Sequence, residues 1–304
     1  MKAVVFAYHN MGVIGIEKLL AHGFKVPMVF THEDSASENI WFGSVRDLCK
    51  DKGITAVTPL DPNTEEWIGR IRPLKPDFIF SFYYRHMLSA DILSIPRLGA
   101  YNLHGSLLPR YRGRCPVNWA IIKGETLTGV TLHEMVEKPD AGAVVAQAAV
   151  PIDMTDTALT LFHKLEQAAG DLLDDCLPVM RGGRFQKTPQ DLSQGSYFGG
   201  RKPEDGKIDW HDKAIDVYNL IRGVTRPYPG AFGNLSGRQV IIWRAALSGE
   251  STSQPGLITI RGQNVLIGCG HGSIAPLEIE VDAQVMRGKD LFDFFKIHSG
   301  EVMR

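Results

Sequence analysis

Short apolar runs alternate with amphipathic stretches through the first part of the chain. The runs are rich in Val, Ile and Phe and have the length of buried strands, whereas the stretches between them place apolar residues at helical spacing. The strand-like runs are 3–7, 26–31, 55–58 and 76–82, and the helix-like stretches are 13–21, 44–52 and 64–71. Strands that alternate with helices in this way predict a parallel, right-handed, doubly wound α/β sheet.

A different pattern occupies the last third of the chain. After a long amphipathic helix predicted over 156–181, a glycine-containing stretch leads into short β-type runs separated by turn residues. That spacing is typical of a small barrel or sandwich, and a helix over 288–297 is predicted to follow it. We therefore predict an α/β domain over 1–190, a linker over 191–205 and a β-rich domain over 206–304.

The composition narrows the choice of function only a little. The chain has 304 residues, which suggests two domains, and its 44% hydrophobic and 22% charged residues are ordinary values for a soluble globular protein. The formal net charge of -1 does not favour nucleic acid or an anionic membrane, and no apolar run has the length of a membrane span. The four cysteines are scattered, which predicts neither a zinc site nor a disulfide framework and fits the cytoplasm. No Gly-x-Gly-x-x-Gly follows the first strand, so a dinucleotide cofactor is not expected.

The stretch 100–116 carries the candidate chemistry. A short strand opens it, and because strand side chains alternate between faces, Asn102 and His104 lie on the same face. The strand is expected to end there, near solvent, at the edge of the sheet where α/β proteins bind ligands. From these two residues alone, two interpretations stay open: catalysis, or an ordinary structural histidine beside an asparagine that bonds its own turn.

Two motifs carry a resemblance to a known family. The first reads Asn102-x-His104-x-Ser-Leu-Leu-Pro, followed by Tyr-Arg-Gly and Pro116. The second is an acidic residue before a glycine on a later loop, which Asp140 supplies within Lys-Pro-Asp-Ala-Gly. In this order and at this spacing, the two motifs resemble the signature of the folate-dependent formyltransferases. The resemblance implies a Rossmann-like catalytic domain followed by an OB-like β-barrel.

The resemblance also implies an activity, the transfer of a formyl group from 10-formyltetrahydrofolate to an amine, without a metal. It makes Asn102 the amide donor to the oxyanion, His104 the residue that handles the proton, and Asp140 the carboxylate that raises the pKa of His104. Without the first motif, Asp140 would be predicted to cap or turn the chain beside Pro139. Five further histidines lack the spacing of a metal site and are predicted to be structural: His9, His22, His32, His133 and His163.

Substrate contacts follow from the same resemblance. The segment formed by His86, Met87 and Leu88 would meet the pterin of the folate through its backbone, although core packing accounts for Met87 and Leu88 as well. Arg114 would line the same slot, although a loop arginine is often solvated. The rest of the slot would consist of Val136, Glu137, Lys138, Pro139 and Asp140. Contacts to a sugar nucleotide are expected at Tyr8, Asn10, Tyr197 and Arg201.

The acceptor is expected to be a UDP-linked amino sugar. Within the family, the segments 4–12, 80–86 and 110–119 resemble the formyltransferases that act on UDP-4-amino-4-deoxy-L-arabinose in lipid A modification and polymyxin resistance. In those proteins a dehydrogenase domain follows. The chain is therefore expected to be either a single-function homologue or part of a longer parent chain.

Three rival functions share the same motifs. A methionyl-tRNA formyltransferase needs a basic surface, but residues 205–304 hold 11 Lys plus Arg and 11 Asp plus Glu, which speaks against a nucleic-acid partner. A formyl-folate hydrolase would use the same three residues with water as the acceptor. A non-catalytic folate-binding module is the least favoured alternative, because Asn102, His104 and Asp140 are all present.

Overall fold

The computed structural model describes residues 1–35, 39–250 and 253–304 of the protein, and the contacts within the chain separate two units. The first unit consists of Met1–Pro116, Leu127–Pro151 and Phe162–Gly199. The second unit consists of Val117–Thr126, Ile152–Leu161 and Gly200–Arg304. The domain limits at 190 and 206 stay a prediction.

Strands and helices alternate through the first 104 residues, as the hydrophobic pattern predicts, and beyond them two strands also follow other strands directly. The strands are β1 (Lys2–Ala7), β2 (Lys25–Phe30), β3 (Thr55–Val57), β4 (Phe78–Phe82), β5 (Ala100–His104), β6 (Arg112–Gly113), β7 (Leu127–Glu134), β8 (Val144–Pro151) and β9 (Tyr197–Phe198). The α-helices are α1 (His9–Ala21), α2 (Val45–Lys52), α3 (Glu65–Ile71), α4 (Ala90–Leu93), α5 (Pro116–Ile122) and α6 (Ala158–Arg181). In the part of the chain that the structure describes, no helix is both long and apolar enough to cross a membrane.

The first unit contains a seven-stranded sheet with the strand order β3-β2-β1-β4-β5-β7-β8. The strands from β3 to β5 are parallel, which confirms the predicted α/β class. β7 departs from that prediction, because it is antiparallel to both of its neighbours. The loop over 135–143 is too short for a crossover helix, so β7 and β8 form a hairpin at the edge of the sheet.

The sheet is buried on both faces and opens a crevice at one end. Residues 3–7 of β1 have no exposed surface, and since successive side chains point to opposite faces, both faces must be covered. From β1 the chain adds β2 and then β3 on one side, and it then returns to place β4 on the other side of β1. Such a reversal leaves a crevice beyond the carboxyl ends of the two central strands, where ligands bind in this class of sheet.

Local sequence signals place the helix α2 that follows β2. The Ser44 side chain accepts the N–H of Asp47 and so caps the first turn. Gly53 ends the helix with a φ of 64°, a left-handed conformation that glycine adopts without strain. These are the start and stop residues that the sequence predicts for this helix.

The segment 200–304 of the second unit forms a six-stranded antiparallel sheet and the helices α7 (Ala214–Val224) and α8 (Gly288–Ile297). The strands of this sheet are β10 (Ala231–Leu235), β11 (Arg238–Ser248), β12 (Ile258–Arg261), β13 (Asn264–Gly268), β14 (Ser273–Val281) and β15 (Gln284–Arg287). The strand order is β10-β11-β14-β13-β12, and β15, which the sequence analysis missed, pairs with β14. Residues at the end of the chain bond both edge strands, because Arg304 exchanges backbone hydrogen bonds with Asn234 and the Ile258 N–H donates to the Glu301 carbonyl. The end of the chain therefore connects the two edges of this antiparallel β domain.

Candidate active site

The register of β5 against β7 brings four polar side chains to one face of the sheet. Asn102 lies opposite His133, and His104 lies opposite Thr131. Because alternate residues of a strand share a face, the two pairs are neighbours. His104 is only 6% exposed, so the expectation that it lies near solvent is wrong. The reason is that β5 is an interior strand, with β4 on one side and the hairpin of β7 and β8 on the other.

Both ring nitrogens of His104 face oxygen atoms. Nε2 lies 2.8 Å from the backbone carbonyl oxygen of Tyr111, and Nδ1 lies 3.6 Å from Asp140 Oδ1. A carbonyl oxygen can only accept, so Nε2 carries the hydrogen in the neutral ring. Nδ1 is then the atom that takes up or releases a proton, and it is the nitrogen that faces the carboxylate. The Tyr111 backbone is held in turn by Ser196, whose Oγ accepts the Tyr111 N–H at 2.8 Å.

The Asp140 carboxylate is held in place from several directions. The Gly113 N–H donates to Asp140 Oδ2 at 2.8 Å, and the Gln190 side-chain amide donates to the backbone carbonyls of Asp140 and Gly142. Asp140 itself has a φ of 51°, in the left-handed region. Gly142 fits the turn because a Cβ at that position would lie 2.0 Å from the backbone oxygen of Glu134. Asp140 therefore lies beside His104, as the resemblance implies.

The two partners influence each other's ionisation. Burial opposes the charge of Asp140, but the neighbouring His104, His133 and the Gly113 N–H together outweigh it and lower the pKa of Asp140 to about 2. For His104 the balance is the reverse, because burial lowers its pKa below the usual 6.5, although Asp140 and the Tyr111 carbonyl act to raise it. Asp140 therefore acts on the pKa of His104 in the direction that the resemblance implies, but burial has the larger effect.

His133 is the main residue of this site that the sequence analysis missed. It was predicted to be structural, yet its Nε2 lies 3.2 Å from Asn102 Nδ2 and 3.5 Å from Asp140 Oδ1. Two further polar side chains, Thr131 and Gln147, bond each other across β7 and β8 and hold the backbone of Ser106 and Leu108 in the loop that follows β5. In the sequence, Thr131 and His133 alternate with the apolar Val130 and Leu132. In a strand this alternation directs both polar side chains to one face, and it was the signal that could have identified His133.

The residues expected to contact folate lie in two segments of the first unit. In the segment after β4, His86 and Met87 are exposed, whereas Leu88 is buried in a core cluster that also includes Ile92. Core packing is therefore the observed role of the Leu88 side chain. In the segment after β7, Val136, Glu137 and Lys138 are exposed, and Pro139 and Asp140 are half-buried. Met135, which precedes them, packs against the same cluster as Leu88.

Arg114 and the residues expected to contact a sugar nucleotide have more varied surroundings. Arg114 is exposed, and its backbone N–H donates to the Phe198 carbonyl at 2.9 Å. Tyr8 is buried, with its hydroxyl on Asp34 and the Arg85 guanidinium over its ring. Asn10 accepts the Gly43 N–H, Tyr197 is 58% exposed, and Arg201, in the second unit, stacks on Trp119.

Groups of candidate metal ligands were sought among the His, Cys, Asp and Glu side chains. Within residues 1–35, 39–250 and 253–304, no three of them are placed to hold a metal ion together. The Asp140 carboxylate faces two imidazoles, because its Oδ1 lies 3.6 Å from His104 Nδ1 and 3.5 Å from His133 Nε2.

Two family profiles match the sequence. Residues 1–177 match the family described as formyl transferase, and residues 201–296 match the formyl transferase C-terminal domain. The first match alone covers more than half of the 304 residues. The chain therefore belongs to the formyl transferase family of enzymes.

Solved structures of other proteins share this fold. The N-formyltransferase from Helicobacter canadensis, in complex with folinic acid and dTDP-3-aminofucose, has a TM-score of 0.72 and 20% identity, covering 91% of this chain and 98% of its own. WlaRD, a sugar 3N-formyl transferase in the presence of dTDP and 5-N-formyl-THF, has a TM-score of 0.70 and 18% identity, covering 93% of this chain and 98% of its own. HypX from Aquifex aeolicus has a TM-score of 0.65 and 19% identity, covering 99% of this chain but 48% of its own, so the chain spans about half the length of HypX. At these identities the similarity is one of fold.

Proposed function

We propose that this chain transfers a formyl group from 10-formyltetrahydrofolate to the amine of a UDP-linked amino sugar. The observation that carries the proposal is the placement of His104, with Nε2 bonded to the Tyr111 carbonyl and Nδ1 facing the Asp140 carboxylate at 3.6 Å. An amine that attacks a formyl carbon must lose a proton, and the departing folate nitrogen must gain one. A buried imidazole with one nitrogen already bonded and the other beside a carboxylate suits that exchange.

The proposed reaction makes one carbon–nitrogen bond and breaks another. The sugar amine bonds to the formyl carbon, and the bond from that carbon to the folate nitrogen breaks. Because burial lowers the pKa of His104, its ring is neutral before the reaction, and Nδ1 accepts the proton of the amine. The Asp140 charge stabilises the imidazolium, which then returns the proton to the folate nitrogen, so no net proton is consumed.

Asn102 is proposed to stabilise the negative charge that develops on the formyl oxygen. Its side-chain amide lies on the same face of β5 as His104, and one of its N–H groups is directed at His133. The second N–H is the proposed donor to the oxyanion. In other enzymes, the loss of one such donor costs about 3 kcal/mol of transition-state stabilisation.

The folate is proposed to lie along the segments 86–88 and 136–140 of the first unit. Met87 and Val136 are 56% and 39% exposed, which leaves apolar side chains available beside the backbone groups. Leu88 and Met135 pack against one core cluster, which supports the two segments being neighbours. The Helicobacter canadensis enzyme and WlaRD were solved with folinic acid and with 5-N-formyl-THF, which further supports a folate co-substrate. Arg114 is the proposed cation at the edge of the slot.

The acceptor is proposed to be UDP-4-amino-4-deoxy-L-arabinose, in lipid A modification and polymyxin resistance. The motifs of segments 4–12, 80–86 and 110–119 favour it, and a dTDP-linked amino sugar in the Helicobacter canadensis structure supports a sugar nucleotide more generally. Tyr8, Asn10, Tyr197 and Arg201 are the proposed contacts, and a dehydrogenase domain in a longer parent chain is the proposed partner. Since the cysteines of the described residues are free, we infer a reducing compartment such as the cytoplasm.

The experiment offers one formyl donor to four acceptors. The purified chain is incubated with 10-formyltetrahydrofolate and, separately, UDP-4-amino-4-deoxy-L-arabinose, a dTDP-linked 3-amino sugar, methionyl-tRNA or buffer. We expect mass spectrometry to find the N-formyl sugar only with the UDP-linked acceptor, in equal amount to the tetrahydrofolate produced. His104→Ala is the matched inactive control. Formylated tRNA, formate release in buffer, or no turnover would each replace the proposal with one of the rival functions.

A further inference from the structure

His133 lies beside Asn102 and Asp140, and the proposed reaction assigns it no role. It is 1% exposed and lies directly across the β5–β7 ladder from Asn102. Its Nδ1 lies 2.8 Å from the backbone oxygen of Glu134, and its Nε2 lies 3.2 Å from Asn102 Nδ2. Among the described residues, that contact with His133 is the hydrogen bond that the Asn102 side chain makes.

These two contacts determine where the hydrogen of the neutral His133 ring lies. The Glu134 carbonyl oxygen can only accept, so His133 Nδ1 must be the donor. A neutral imidazole carries one N–H, and Nε2 is then an acceptor, which matches the N–H of the Asn102 amide in front of it. The amide is thereby held with its nitrogen toward His133, and its second N–H stays available.

We propose that His133 is a positioning residue, which through its unprotonated Nε2 holds the Asn102 amide with one N–H available to the formyl oxygen. The inference rests on the proposed function of Asn102. His133 does not touch the reacting atoms in this proposal. It removes the freedom of the Asn102 side chain to rotate or to present its carbonyl oxygen, which would repel a developing oxyanion. A misplacement of about 1 Å in such a group can lower a rate about 100-fold.

The competing arrangement is a protonated His133 that pairs with Asp140. Nε2 lies 3.5 Å from Asp140 Oδ1, so an Nε2–H would face that carboxylate. Asp140 already accepts the Gly113 N–H at 2.8 Å, so its carboxylate has a donor without His133. In that arrangement the Asn102 amide would turn its oxygen toward Nε2. The two arrangements therefore predict opposite orientations of the amide.

The first test observes the ring itself and needs no substrate. ¹⁵N NMR of the full chain with labelled histidine, near neutral pH, reports which nitrogen of each ring carries hydrogen. His133→Gln identifies the His133 signals by their loss. We expect His133 to carry hydrogen on Nδ1 alone. A ring that is protonated on both nitrogens, or on Nε2 alone, would overturn the proposal whether or not the chain transfers formyl groups.

The second test measures the effect through Asn102. His133→Leu removes the acceptor at nearly the same volume, and we expect kcat to fall about 10- to 100-fold while KM for both substrates changes less than about threefold. His133→Gln returns an acceptor oxygen and should recover most of kcat. In an Asn102→Ala background, His133→Leu should cost nothing further, because its target is gone.

The controls separate this inference from simpler explanations. Thermal unfolding checks that both His133 variants fold, and the Gln variant keeps the test valid if the Leu variant does not. Additive losses in the double variant, or a Gln variant as slow as the Leu variant, would mean that His133 does not act through Asn102. A wild-type chain with no transfer to any acceptor would remove the proposed function, while the NMR result would still decide the orientation of the ring.

Discussion

Replacing Asp140 with Asn tests the coupling on which the proposed proton transfer depends. The variant keeps the size of the side chain and an oxygen that can accept the Gly113 N–H, but it removes the charge. Both partners are buried, with 7% of the His104 and 15% of the Asp140 side chain exposed. At 3.6 Å, opposite unit charges attract by about 5 kcal/mol at an effective dielectric constant of about 20.

The sign of the expected change follows from what each group does to His104. Burial lowers the pKa of His104, and Asp140 opposes that effect, so removing the charge should lower the pKa further. A charge this close moves a pKa by about 1 to 3. The imidazole is then a weaker base, and we expect kcat to fall at least about tenfold, with KM for both substrates changing less than about threefold.

Two measurements check this prediction independently. An NMR titration of His104 in the wild type and in Asp140→Asn gives the sign of the pKa change, and the ultraviolet absorbance of the folate follows turnover. The matched control is Asp51→Asn, which makes the same change at an exposed position of α2, outside the proposed folate and sugar contacts. A His104 pKa that stays constant or rises in Asp140→Asn would refute the coupling and return Asp140 to a turn role.

Three further predictions address pH, loop geometry and domain limits. The acid limb of the kcat/KM profile should have its midpoint below pH 6.5, because the neutral form of His104 is the base and burial lowers its pKa; a midpoint above the usual value would contradict this. Gly142→Ala should lower the melting temperature and the rate of transfer, since the added Cβ would lie 2.0 Å from the Glu134 oxygen, whereas Gly69→Ala, where no atom lies within 4 Å of the added Cβ, should leave transfer unchanged; equal rates in both variants would argue against a role for the close approach. Limited proteolysis should cut first within 182–206, where most residues are exposed, and a first cut inside α6 would contradict the proposed linker.

The sequence by itself determined most of the elements and the α/β class of the first unit. An apolar run such as residues 3–7 predicts a central strand that is buried on both faces. Gly53 ends a helix because glycine adopts the left-handed conformation without strain. Asn102 and His104 share a face because a strand has a period of two residues. These are local properties, so a reader of the sequence can reach them without knowing which strands pair.

The tertiary structure decided everything that depends on pairing and burial. β7 is antiparallel to β8 because the loop between them is short. The register of β7 against β5 places His133 opposite Asn102, 31 positions apart in the sequence. The periodicity of a single strand does not indicate which residue of another strand lies opposite Asn102. The same pairing buries His104, and burial lowers the pKa of His104. Asp140 acts in the opposite direction, as the motif implied, but its effect is the smaller one. Register and solvent exclusion arise from contacts between distant segments, and only the folded chain brings those segments together.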